Sequence, residues 1–87
     1  MTEELIAEYR IIEFQKRIKP YVSQIRVCDI KIAELSDIRQ RVKQHYDNYG
    51  HFEIQRILSH IDNDIKEQRT DKELLEFEIV QVKEMVI

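Results

Sequence analysis

Turn-forming residues are almost missing from this chain. Among 87 residues there is one glycine, Gly50, and one proline, Pro20. A β-sandwich or barrel needs turn signals every few residues, so all-β classes are excluded. One glycine cannot build a phosphate-cradling P-loop or a dinucleotide-binding turn, both of which need at least two. Cys28 is the lone cysteine, which rules out an intrachain disulfide. No run approaches the roughly 18 apolar residues that would span a bilayer. The opening MTEELIAEYR has acids where a secretion signal carries basic residues. The expectation is a cytoplasmic protein with no membrane partner.

What is abundant is the material of amphipathic helices: 43% hydrophobic and 36% charged residues. Isoleucine dominates the apolar set, and Ile, Lys, Asn and Tyr share A/T-rich codons. That bias points to a low-GC bacterium or its phage. The length sets a single domain over residues 1–87, with a core so small that pairing with a second copy is a common remedy.

Stepping alternately four and three residues from Ala7 gives Ile11, Phe14, Ile18, Tyr21, Ile25, Cys28, Ile32 and Leu35, then Arg39, Val42 and Tyr46. This is coiled-coil spacing sustained over four heptads. A second ladder reads Ile54, Leu58, Ile61, Ile65, Gln68, Lys72, Leu75, Ile79, Val82 and Val86. Between them lies Asp47-Asn48-Tyr49-Gly50, the only good turn. The pattern predicts helices over 3–47 and 52–86 joined by a turn at 47–51: an all-α, long antiparallel helical hairpin. A three-helix bundle is the alternative.

Two features interrupt the ladders. Pro20 has no N–H and clashes with the Lys16 carbonyl, so the first helix is expected to kink or break there. Thr70-Asp71-Lys72-Glu73 is a capping-box pattern beside the polar rungs Gln68 and Lys72, and makes a local break of the second helix plausible. Folding at 49–50 sets Thr70 opposite about residue 29 and the C-terminus opposite about residue 12. Residues 2–11 then project past the second helix with Leu5, Ile6, Tyr9 and Ile11. They either fold back at Pro20 or pack on another chain.

Apolar residues also recur off the seam. Leu5, Tyr9 and Ile12 form one stripe; Val27, Ile30 and Ile38 lie more than 90° from the Ile25/Ile32 line; Leu74, Phe77 and Met85 repeat this in the last segment. Helices with doubled apolar faces are enclosed by two or more neighbours, so a dimer of hairpins forming a helical bundle is expected.

Candidate chemistry is thin. His45, His51 and His60 include no i, i+4 pair, and no Glu is followed three residues later by His. Solvated histidines, with His60 within reach of Asp64, fit better than a metal site. Cys28 sits on the seam, where a structural thiol is expected rather than a nucleophile. Asp62-Asn63-Asp64 lacks the glycine and distal glutamate of a calcium loop. Ser23, Ser36 and Ser59 lie inside helical pattern with no nucleophile elbow. No catalytic residue, cofactor or metal is expected, and the chain is read as a non-enzyme.

Net charge is −3, but it is unevenly spread: residues 10–45 carry +5 and residues 46–87 carry −5. Charge pairing between the two helices is the expected use. Arg10, Lys16, Arg17, Lys19, Arg26, Lys31, Arg39, Arg41 and Lys43 also allow a nucleic-acid regulator as the alternative. They are spread around the helix, and no helix-turn-helix, zinc-finger or RNP pattern accompanies them. At the tip, Tyr46, Tyr49 and Phe52 either cap the bundle or offer a contact patch to a foreign protein.

The sequence therefore predicts a helical protein–protein interaction module. It associates with itself, as a homodimer, through Ile11, Phe14, Ile18, Ile25, Ile32, Leu35, Ile61, Ile65, Leu75, Ile79 and Val82. An unidentified protein is its second partner, which it serves as adaptor, assembly factor or small inhibitor.

Overall fold

The computed structural model describes residues 2–45 and 50–87. They form two α-helices, α1 (Glu3–Gln44) and α2 (His51–Val86), with no strand among them. The expected turn falls mostly on residues 46–49, which lie outside the described residues, as do the candidate tip residues Tyr46 and Tyr49. Thr2 caps α1: its Oγ1 accepts from the Leu5 N–H at 3.4 Å. Glu3 and Glu4 in the first turn, with Arg41 and Lys43 in the last, complement the helix dipole. α2 starts after Gly50 and closes with the Ile87 N–H on the Lys83 carbonyl at 2.8 Å.

The two ladders become the seam of an antiparallel pair. Written as heptads, Ile18, Ile25, Ile32 and Arg39 take a positions of α1, and Phe14, Tyr21, Cys28 and Leu35 take d. In α2, Leu58, Ile65, Lys72 and Ile79 take a, and Ile54, Ile61, Gln68 and Leu75 take d. From Phe14 to Val42, and from Ile54 to Val86, every rung is buried or half-buried. Almost every other position is exposed. The 3.5-residue repeat thus dictates both the helices and the face each one covers.

Polar rungs fix the register. Arg39 lays its stem along the seam, and its guanidinium forks onto Asp62, with Nε–Oδ1 at 2.6 Å and Nη2–Oδ2 at 3.4 Å. Lys72 reaches Asp29 at 2.7 Å. Each helix supplies a cation from an a position and a carboxylate from the e position of the other pair. Facing residues pair 39 with 62 and 29 with 72, two residues beyond the register expected from the sequence.

Neither interruption breaks a helix. α1 runs unbroken through Pro20, which removes the broken alternative and the fold-back that went with it. Pro20 is exposed, so water can reach the Lys16 carbonyl it leaves without a donor. Thr70 does not restart α2. Its hydroxyl donates to the Lys66 carbonyl at 3.0 Å, the bond of a mid-helix threonine. The capping-box pattern is local, whereas continuity keeps Leu75, Ile79 and Val82 on the seam, and continuity prevails.

The result is a rod of 70 × 16 × 13 Å. In this register Phe14 lies opposite Ile87, so residues 3–12 of α1 extend beyond the end of α2, a slightly longer projection than the ladders predict.

Candidate interaction surface

Burial is lopsided along the rod. Among the described residues, four of the five buried side chains are Ile54, Leu58, Ile61 and Ile65, all in the half nearest the tip; the fifth is Cys28 at mid-length. Ile54 is the only one fully enclosed, at 0% exposure. Among the described residues fifteen large apolar side chains are exposed; Val27, Ile30, Ile38, Phe52 and Leu74 lie at mid-length or toward the tip, and the other ten lie toward the open end. Those ten are Leu5, Ile6, Tyr9, Ile11, Ile12 and Val22 of α1, Phe77, Val80 and Met85 of α2, and the terminal Ile87. A two-helix seam buries one face per helix, so these off-seam residues have no cover within the chain.

The two edges of the hairpin also differ. Both cross-helix ion pairs use e positions, Asp29 and Asp62, and so clamp one edge. That edge still leaves a hollow of about 370 Å³ beside Asp29 and Lys72, and the opposite edge, flanked by g positions, opens into a more apolar groove of about 430 Å³. Cys28 and Leu75 lie at its bottom, and the exposed Val27 and Leu74 line its apolar rim. Gln24 and Lys31 stand on the α1 wall, and Gln68, Asp71 and Glu78 on the α2 wall.

Charge is less consumed within the chain than the sequence suggests. Four ion pairs join described residues, and Arg17–Glu13 and Arg41–Asp37 lie within α1. Only Arg39–Asp62 and Lys72–Asp29 cross between helices, and the second reverses the expected polarity, with the cation on the acidic helix. Arg10, Lys16, Lys19, Arg26, Lys31 and Lys43 join no ion pair among the described residues. The hydrogen bond from Arg39 holds the Asp62 carboxyl below the usual carboxylate range, against a smaller opposing effect of burial. The bond to Asp29 raises the Lys72 ammonium in the same way.

The association residues inferred from the ladders fall mostly on the intrachain seam. Ile61 and Ile65 are buried there; Phe14, Ile18, Ile25, Ile32, Leu35, Leu75, Ile79 and Val82 are half-buried. Ile11, beyond the end of α2, is exposed. Phe52, the described member of the tip cluster, is 92% exposed. No group of three or more His, Cys, Asp or Glu side chains among the described residues is placed to hold a metal ion. No helix among them is long and apolar enough to cross a membrane. What sequence reasoning missed is the edge asymmetry: Arg39 and Lys72 read as polar rungs, but their partners emerge only once the register is set.

No family model, no curated protein and no solved structure matches this chain.

Proposed function

We infer that the protein is a non-enzymatic helical interaction module of the cytoplasm. It associates with itself and acts on a second protein as adaptor, assembly factor or small inhibitor. The supporting observation is the concentration of exposed apolar side chains toward the open end of the rod, where ten of the fifteen lie. Scattered surface leucines are ordinary, but a contiguous apolar region marks an interaction site. The area agrees. The chain exposes 7204 Å². A compact monomer of 10.6 kDa exposes about 5,500 Å² by the usual size scaling. The excess is about twice the roughly 800 Å² that a standard interface removes from each partner.

Light scattering on the full chain tests the first half of this reading. A dimer or larger assembly is expected, and a monomer at high concentration overturns it. Affinity capture from the native cell with mass spectrometry then tests the second half. A reproducible stoichiometric protein partner is the expected result.

A nucleic-acid regulator is the second reading, favoured by the six unpaired cations of α1. They point to several sides of the helix, as Lys16, Lys19 and Lys31 do at f, b and g, and so do not form the single face that tracks a phosphate backbone. Retention on a DNA or RNA column with a steep salt dependence would establish it. Flow-through at low salt removes it.

A further inference from the structure

Resting on the self-association reading, we propose that the groove lined by Val27, Cys28, Leu74 and Leu75 is the seat for residues 3–12 of a second copy. The exchange is reciprocal, each chain filling the groove of the other about a two-fold axis.

Length supports it first. Residues 3–12 extend about 15 Å past α2, and the groove wall from Gln68 to Glu78 is the same length at 1.5 Å per residue. Both partners are helical surfaces of one chain, so the contact closes as an isologous pair with nothing left over.

Facing positions support it next. Val27 and Leu74 both take c positions. On the projecting segment the c position is Ile6, flanked by Tyr9 at f and by Glu3 and Arg10 at g. When the two α1 helices run antiparallel with Ile6 over Cys28, the axis passes near residue 17. Glu3 of one copy then stands beside Lys31 of the other, and Arg10 beside Glu78. Lys31 and Glu78 line the groove, and none of the four joins an ion pair within its own chain. The two Arg17 side chains meet near the axis, where each is already answered by its own Glu13 at 3.0 Å. Ile12, at b, faces away from the contact.

A cross-link reads the register directly. Residues 6 and 28 lie about 33 Å apart along one helix, so a short thiol-to-thiol bridge between them has to join two chains. In an Ile6→Cys variant of the full chain, a short bismaleimide is expected to give a covalent dimer through Cys28. A Phe52→Cys variant, with its thiol near the tip, is expected to give no bridge to Cys28. Because Cys28 is a buried thiol and reacts slowly, a second measurement accompanies it. Sedimentation of Ile6→Asp is expected to show the dimer dissociation constant raised at least tenfold, with Ile12→Asp unchanged. Both variants keep full helicity, since neither residue touches α2. Equal weakening by both, or by neither, overturns the seat while leaving self-association standing. A monomeric parent chain defeats both.

Discussion

The tip half and the open half of this rod carry the same seam and differ in everything around it. Near the tip, Ile54, Leu58, Ile61 and Ile65 are buried, and the outward positions are mostly polar. There the α1 rungs Leu35 and Val42 are half-buried; toward the open end the rungs of both helices, Phe14, Ile18, Leu75, Ile79 and Val82, are half-buried, and apolar side chains appear on further sides. One half holds itself together; the other is built to be completed. The lesson is that heptad spacing alone specifies a partner helix, while apolar residues off the heptad specify how many partners there are.

The largest expected effect breaks the self-sufficient half. Ile61→Asp places an uncompensated carboxylate in the seam and is expected to abolish the helical circular dichroism signal at room temperature. The same charge at Ile12, which is 59% exposed, is expected to leave the signal intact. A folded Ile61→Asp protein would refute the seam.

Next in size, Ile54→Ala is expected to cost about 2–5 kcal/mol in denaturant unfolding, the usual loss for a fully enclosed aliphatic side chain. Leu74→Ala sharpens the comparison. In dilute protein it is expected to cost within about 0.5 kcal/mol, as at ordinary surface sites. Its cost is expected to grow with protein concentration as a second copy covers it. A concentration-independent cost would place Leu74 outside any association surface.

A smaller effect tracks pH. The folded state holds Asp62 below its unfolded value, so its contribution is present above the usual carboxylate range and disappears as pH falls through the folded value. The denaturant midpoints of parent and Asp62→Asn are therefore expected to differ at neutral pH and converge in acid. Lys72 has the opposite sign: raised in the fold, its contribution is present at neutral pH and fades in strong base. The smallest effect is at the tip. Phe52→Ser is expected to leave the unfolding midpoint unchanged, and any loss of a captured partner would then identify the tip as a contact.

Much of this was legible from residue spacing. The ladders name the seam rung for rung, because burial between two helices follows the same repeat that defines them. The projection of the first helix also follows from counting residues on either side of Gly50. Thr70 is different: its capping pattern spans four residues, whereas the helix it would break is held by a seam thirty residues long. The groove was illegible for another reason. Which edge is clamped depends on Asp29 and Asp62 meeting Lys72 and Arg39 across the pair, and that requires knowing the register to within one turn.

The two ion pairs have a consequence for that register. An isoleucine-rich ladder repeats every seven residues, so the helices could slide by one heptad and still mesh. Sliding one way sets Arg39 against Arg69 and Lys72 against Ser36. Sliding the other way sets Arg39 against Gln55 and Lys72 against Val22. Two pawls on one edge thus leave the ratchet a single tooth, so the same residues of α2 face the same residues of α1 in every molecule.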